Sequence, residues 1–571
     1  MQTFKTGTLT SVFSQIVDAR PHTPVYTMHR YFARRPWNVF HELVLHYSTV
    51  GDIVLDPFCG GGVTVVESLK LDRKTIGVDA NPLATYITEM ECKPLNLQSF
   101  QQALLHVSQR VELEISRLYR TKCARCNSEA VADWIEWDEA TGRMIRLKYD
   151  CQKCGTSDEK SPGQHDLRLA RQITENFARF VSQRKLWYPK TRIPNGDKTN
   201  SLLSKHINFF HELFTKRNAL ALSILHAEIS RVEDSECRDF LRFAFSGSLK
   251  WASRQSHLRG EIVEGWAMHA YWVYPRSLEI NVWNTFRRRA QAILRGKKYS
   301  NQHLGKFCVF ARDFNELAKG NASCLILNQS SSELPFPESS VDAIITDPPY
   351  GGNVNYAELS DYWHIWLSEG KIIDKGSEVI INRTQGKGVE EYESLLYAVL
   401  KECYRVLKPN RCLVSTFNSR DIRVVASFIT GASKAGFTLH PDGLLYQNPI
   451  RPYTTTFHAM QIGAFVGDFV FTFVKEKTPQ PYNSGPGTVE LKEILATYVA
   501  DAVAGEITEP QLRERAYRSI IPFLANRARV DLAACKEAVD FFEAKMKERE
   551  KDFRQIRMKI TEKRRRKFRR R

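Results

Sequence analysis

A buried strand that runs straight into three glycines constrains this chain more than any other stretch. Asp52-Ile53-Val54-Leu55-Asp56-Pro57-Phe58-Cys59-Gly60-Gly61-Gly62 reads as a strand ending in a glycine turn. Val63 to Lys70 follows as a helix, and Thr75 to Val78 is a second apolar strand that stops at Asp79. Glycines let a backbone approach a ligand closely, and an acid at the end of the second strand can take two ribose hydroxyls. The turn is not Gly-x-Gly-x-x-Gly and carries no Gly-Lys-Ser/Thr. Both absences argue against NAD and ATP as the ligand.

The same α/β pattern resumes far downstream. Ala322 to Asn328 and Val341 to Thr346 read as strands, Glu390 to Leu407 as an amphipathic helix, Cys412 to Phe417 as a strand and Ile422 to Ala435 as a helix. Leu444 to Gln447 and Asp468 to Lys475 are the last strands. The fold expected is a doubly wound, mostly parallel α/β sheet. Its second half holds Asp347-Pro348-Pro349-Tyr350-Gly351, directly after a strand. Two prolines fix φ and cannot continue a ladder. An acid and an aromatic around that rigid turn suit a flat, amine-bearing ring: the carboxylate accepts from the amine while the aromatic stacks.

Between the halves lies a large insertion. Cys123-Ala124-Arg125-Cys126 and Cys151-Gln152-Lys153-Cys154 flank strand-like Ala130 to Glu136 and Met144 to Tyr149. Two C-x-x-C knuckles on a hairpin suit tetrahedral Zn²⁺, and four sulfurs leave no open position, so the zinc is expected to be structural. The remaining cysteines of the twelve are scattered and read as small core residues. Beyond the ribbon the insertion turns helical, over Ile207 to Ser230, Glu236 to Trp251 and Asn281 to Leu294. The aromatic run Gly265 to Pro275 and the cluster Arg287-Arg288-Arg289 suit unstacked bases and phosphates; an aromatic core with a solvated basic face fits equally well.

The chain has 571 residues and a net charge of +18. It therefore holds more than one domain and favours polyanions, nucleic acid before anionic membrane. The tail from Arg557 to Arg571 supplies part of that charge but not Arg287 to Arg289 or Lys297-Lys298. Met1 to Arg20 lacks an apolar signal core and no run approaches a membrane span, so a cytoplasmic protein with reduced thiols and no membrane partner is expected. The divisions expected are 1–94 and 321–477 for the core, 95–320 for the insertion with its ribbon at 120–157, a linker over 478–487 and a helical, basic C-terminal region over 488–571.

The pairing of Asp56 to Gly62 with Asp347 to Tyr350 resembles the S-adenosylmethionine-dependent amino-methyltransferases of DNA. The two knuckles and Asn355-Tyr356-Ala357-Glu358-Leu359-Ser360-Asp361-Tyr362-Trp363 make it similar to their zinc-ribbon-containing, adenine-specific members, over roughly residues 20–480. The resemblance implies a class I methyltransferase (Rossmann-like) sheet of seven strands, six parallel and one antiparallel. It also implies roles. Asp56, Pro57, Phe58, Gly60, Gly61 and Gly62 would form the cofactor loop, and Asp79, with Asn81 beside it, would hold the ribose. Arg34 and Pro36, in Arg34-Arg35-Pro36, would meet the methionine end, and Asn328 and Gln329 the cofactor's adenine. Asp347, Pro348, Pro349 and Tyr350 would hold the target amine. The activity implied is transfer of methyl to N6 of a flipped adenine in DNA, within a restriction-modification or defence system, with a protein partner on the C-terminal helices. RNA base-amine methylation (tRNA or rRNA), cytosine-N4 methylation and a non-catalytic nucleic-acid-binding subunit are the alternatives. The loop departs from the commoner Gly-Ser-Gly, and the insertion falls between the second and third strands.

Overall fold

Alternate residues of the central strands go to opposite faces. In β1 (Ile53–Asp56), Ile53 and Leu55 enter one apolar core and Val54 the other. This period of two makes a sheet that must be covered on both sides. A computed structural model describes residues 11–304, 308–419, 421–447 and 468–476, with scattered positions between 492 and 555. After β1 come β2 (Lys74–Asp79), β3 (Cys324–Asn328), β4 (Ala343–Thr346), β5 (Cys412–Phe417), β6 (Thr438–Gln447) and β7 (Asp468–Val474). They form one mixed seven-stranded sheet in the order β3-β2-β1-β4-β5-β7-β6. β3, β2, β1, β4 and β5 are parallel, and β7 runs antiparallel to both of its neighbours.

On one face lie α1 (Trp37–Tyr47), α2 (Val63–Lys70) and α3 (Pro82–Cys92), which bury Phe40, Leu43, Val66, Leu69 and Ile87 with Val54, Ile345 and Val414. α4 (Tyr356–Leu367) adds Leu359, Trp363 and Trp366 to that core. The other face is covered by α5 (Val389–Val406) and α6 (Ile422–Ala435), whose Leu396, Val399 and Phe428 meet Ile344, Leu413, Phe471 and Phe473. The starts of these helices are written locally. Asn81 accepts from Leu83 N at 3.0 Å with Pro82 in the first turn, a favourable N-cap.

The insertion enlarges the first core. Its antiparallel strands Arg120–Lys122, Glu129–Asp138, Arg143–Asp150 and Ser157–Lys160 carry the two knuckles, and a late strand, Arg276–Ile280, returns to pair with Glu129–Asp138. The helix expected over 207–230 starts instead at Lys216: Thr215 accepts from Asn218 N at 3.1 Å and caps it there, after a short 3-10 turn at Phe210–Leu213. The helix expected to end at Leu294 continues to His303. β6 begins at Thr438, six residues before its expected start, with an irregularity in its pairing between Leu439 and Leu444. The linker at 478–487 and most of the C-terminal region lie outside the described residues. Among the described residues no helix is long and apolar enough to cross a membrane.

Candidate active site

β1 and β4 are neighbours from which the chain winds outward in opposite directions, and a crevice opens beyond their carboxyl ends, where such sheets bind ligands. The two ends are tied together: Thr346 Oγ1, the last residue of β4, donates to Asp56 Oδ1, the last of β1, at 2.7 Å. Asp56 also receives Phe58 N at 3.1 Å, and burial pushes its carboxyl up to about 7. Gly62 caps the start of α2 at φ 76°, a left-handed position that a side chain resists. At Gly61 a Cβ would lie 2.9 Å from Arg34 Nε, so the loop presses directly on that guanidinium. Arg34 is held from behind by Glu91 at 2.7 Å, and its Nη2 finds no hydrogen-bond partner among the described residues.

Asp79 closes the loop from β2. Its Oδ2 receives Gly60 N at 2.9 Å and its Oδ1 receives Asn81 N at 2.8 Å; burial raises it to about 6. The outer wall is a segment without a sequence signature, Ile373 to Val379. Its Glu378 accepts from Ala357 N at 2.8 Å through Oε1, while Oε2 has no partner among the described residues, and burial lifts this carboxyl to about 7.

The other end of the cavity is built from side chains. Asp347 Oδ2 accepts Arg35 Nε at 2.5 Å; Oδ1 accepts Thr416 Oγ1 at 2.6 Å and the Tyr350 hydroxyl. Arg35 reaches on to Asp468 Oδ2 at 2.9 Å and to the Tyr350 hydroxyl, with its guanidinium carbon 4.8 Å from the Tyr350 ring centre. Burial raises Asp347 above the usual carboxylate range, and Arg35 opposes that rise. Tyr392 of α5 donates to the Pro349 carbonyl at 2.7 Å and pins the turn.

Of the residues singled out in the sequence, Arg34, Asp56, Pro57, Phe58, Gly60, Gly61, Asp79, Asn81, Asp347 and Pro349 line one cavity. Pro36, Gly62, Pro348 and Tyr350 border these without lining it. Asn328 and Gln329 stand behind Asp79: Asn328 Nδ2 and Gln329 N donate to its carbonyl at 2.9 and 3.1 Å, and Ser330 and Ser331 face the cavity instead. Tyr31, Arg35, Tyr356 and Glu378 also line it, and Thr416 and Asp468 hold Asp347 and Arg35. For Arg35 the signal lay in the Arg34-Arg35-Pro36 run; for Asp468 there was none.

The segment Asn355 to Trp363 is a junction. Ser360 Oγ accepts from Asn81 at 2.8 Å; Glu358 accepts Lys198 N at 2.8 Å and Asn382 Nδ2 at 2.6 Å; Asp361 accepts Ile373 N at 2.8 Å. It therefore fastens the insertion and the outer wall to the core. Much of the insertion's aromatic and basic content is likewise internal. Trp266 and Tyr271 are buried, and Tyr271 donates to the Glu358 carbonyl at 2.9 Å. Arg289 donates to the Thr27 and Met28 carbonyls, and buried Lys297 to those of Glu91 and Lys93. Trp272, 48 % exposed with Lys205 Nζ 3.9 Å from its ring, and Arg287, Arg288 and Lys298 face outward.

The four knuckle sulfurs, of Cys123, Cys126, Cys151 and Cys154, lie within 4.8 Å of one another. Cys123 and Cys154 are 3.7 Å apart and Cys126 and Cys151 3.6 Å. A tetrahedral ion with bonds of about 2.3 Å needs edges of about 3.8 Å.

This sheet, with its ligand crevice at the β1/β4 switch, is a methyltransferase-like α/β fold. The profile of the N6/N4 methyltransferase family, described as DNA methylase, matches residues 8–90 and 341–570, more than half of the chain. The chain belongs to this family of DNA methylases. It is similar to the type II methyltransferase M.MjaII of Methanocaldococcus jannaschii, 22 % identical over 347 residues, 57 % of this chain and 59 % of that one. The chain thus spans 59 % of that relative's length. Among solved structures, a DNA modification methylase from Thermus thermophilus matches 28 % of this chain and 53 % of its own at 17 % identity, with a TM-score of 0.15.

Proposed function

We propose that this protein transfers a methyl group from S-adenosylmethionine to the exocyclic N6 amine of adenine in DNA. The observation that carries the reading is one cavity shared by the glycine loop, Asp79 and the Asp347 turn. The donor set suits the cofactor. Asp79 would hold a diol, the Arg34 Nη2 without a partner suits a carboxylate, and Glu378 Oε2 suits an ammonium. When bound, S-adenosylmethionine supplies an electrophilic methyl beside a sulfonium charge.

What the chain must do is position an amine whose lone pair is spread into a ring. Asp347 and the Pro348 carbonyl would accept the two N–H groups and favour a pyramidal nitrogen. Tyr350 would stack on the flipped base, and the released proton would leave through Asp347 or to water. Positioning and electrostatics supply the rate, without a base of tuned pKa. Asp before Pro-Pro, where a serine would favour cytosine N4, supports adenine. The family and the methyltransferase relative support DNA over RNA, and the relative's type II description supports a restriction-modification setting. The ribbon would hold a structural Zn²⁺, with Trp272 and Lys205 among the residues that meet nucleic acid.

The test is tritium transfer from labelled S-adenosylmethionine into unmethylated duplex DNA and, in parallel, unmodified tRNA, followed by nucleoside analysis. N6-methyladenine in DNA is the expected product. N4-methylcytosine, or label confined to tRNA, would replace the substrate assignment, and no label in either would return the chain to a binding role.

A further inference from the structure

Arg34 and Arg35 are adjacent yet differently used. Arg34 is locked behind the glycine loop by Glu91. Arg35 lines the cavity and occupies the groups assigned above to the target amine. One N–H sits on Asp347 Oδ2 at 2.5 Å, and the plane covers Tyr350 with 4.8 Å from the guanidinium carbon to the ring centre. A guanidinium is a flat cation with N–H donors along its edge. Over an aromatic face, with its edge against a carboxylate, it imitates an amine on a ring.

Resting on the methyltransferase reading, we propose that Arg35 is the positioning residue for Asp347 and the resting surrogate of the target base. It holds the carboxylate aimed until an amine-bearing base replaces it. The exchange has somewhere to go. Arg35 Nη1 already holds Asp468 Oδ2 at 2.9 Å, and the other Asp468 oxygen accepts Asn418 Nδ2 at 3.3 Å. Arg35 can therefore leave Asp347 without losing its charge partner. The backbone permits it: Ala33 stands at φ 43° and the segment to Pro36 lies outside any helix, before α1 begins at Trp37.

Competition of this kind sets one penalty that every base must overcome. An exocyclic amine restores the N–H to Asp347 that Arg35 gives up. A base presenting a carbonyl there sets oxygen against oxygen and loses to Arg35. Discrimination against carbonyl edges therefore stays with Asp347 itself, while the surrogate lowers the apparent affinity for every base alike.

The experiment titrates adenosine and thymidine into the full-length protein, held in excess S-adenosylhomocysteine, for wild type, Arg35→Ala and Arg35→Lys. Arg35→Ala should bind adenosine about tenfold tighter or more, with its preference over thymidine unchanged. Arg35→Lys, charged but without the planar fork, should fall between. Should Arg35→Ala lose S-adenosylhomocysteine binding, Asp468→Asn gives the opposite sign: with its parking place weakened, Arg35 stays on Asp347 and adenosine binds less well. Unchanged adenosine affinity in these variants overturns the surrogate.

Positioning is read from the pH profile of methyl transfer. Asp347 faces Arg35, Tyr350, Tyr356 and Asp56, with Asp468 beyond Arg35. Removing the cation raises Asp347, so the acid limb of Arg35→Ala should move to higher pH while that of Arg35→Lys stays; coincident limbs overturn this part. A wild type that neither binds S-adenosylhomocysteine nor methylates DNA defeats the methyltransferase reading. A competent wild type with no Arg35 effect defeats only the surrogate.

Discussion

The two ends of the cavity differ in how complete they are. At the glycine end the frame is backbone, and atoms are left over: Arg34 Nη2 and Glu378 Oε2 have no partner among the described residues. At the Asp347 end the frame is side chain, and each carboxylate oxygen is already engaged, by Arg35 on one side and by Thr416 and Tyr350 on the other. Unmet buried polar atoms are costly, so an end that keeps them is shaped for a ligand that meets them. An end that satisfies itself must be opened by its ligand. One half of the cavity is therefore preformed and the other is exchanged.

The largest test of that contrast is Asp347→Ala. Methyl transfer should fall about 10³-fold or more, while calorimetric affinity for S-adenosylmethionine stays within about threefold. A joint loss would mean that the two ends are one unit. Next is the distant ribbon. Cys126→Ser should bind less zinc than wild type in a colorimetric metal assay and melt at a lower temperature, yet leave cofactor affinity intact in whatever fraction stays folded. A zinc-free variant with unchanged melting would remove the ribbon from the fold's supports. Gly61→Ala should weaken cofactor binding about 5- to 150-fold, the effect of overpacking by about 1–3 kcal/mol against an anchored Arg34. Adenosine binding at the Asp347 end should not follow.

The smallest effect is in pH. Burial raises Asp56, Asp79 and Glu378 to about 7, about 6 and about 7. Between their unfolded values and these, the folded chain holds protons that the unfolded chain has lost, so stability falls as pH rises through that window. A cationic cofactor favours the ionised forms. Its affinity should rise about three- to tenfold from pH 6 to pH 8, and that of uncharged-sulfur S-adenosylhomocysteine by less. Equal slopes for the two would assign the response to the ammonium and diol that both share and not to the sulfonium.

The preformed end was the legible one. Strand, glycines and acid lie within Asp52 to Asp79, so one local pattern carries them. The parallel strands were readable because residues buried on both faces form continuous apolar runs. The exchanged end joins Arg35, Asp347, Thr416 and Asp468 across the chain, and no spacing connects them. Arg35 also stood beside Arg34, and sequence cannot say which of two arginines reaches Asp347. Ile373 to Val379 has no repeat or charge pattern at all, and its Glu378 is visible only once Ala357 fixes it. In the insertion, Lys297 and Arg289 looked like surface charge because composition does not register the carbonyls at two helix and loop ends that they satisfy.

The place of the insertion also sets an order of events at the ribosome. β1 has no parallel neighbour on its inner side until β4, and β2 has none on its outer side until β3, both of which follow the insertion. A nascent chain must carry two apolar strands, unpaired along those edges, while residues 80–323 are made, at about 5–20 residues per second. Arg276–Ile280 closes the ribbon sheet late in that interval, so the insertion can settle first and shelter the waiting strands through the face that it shares with α1 to α3. Truncation within 281–323 should accordingly yield chains that aggregate through β1 and β2, whereas a chain released after β7 should stay soluble.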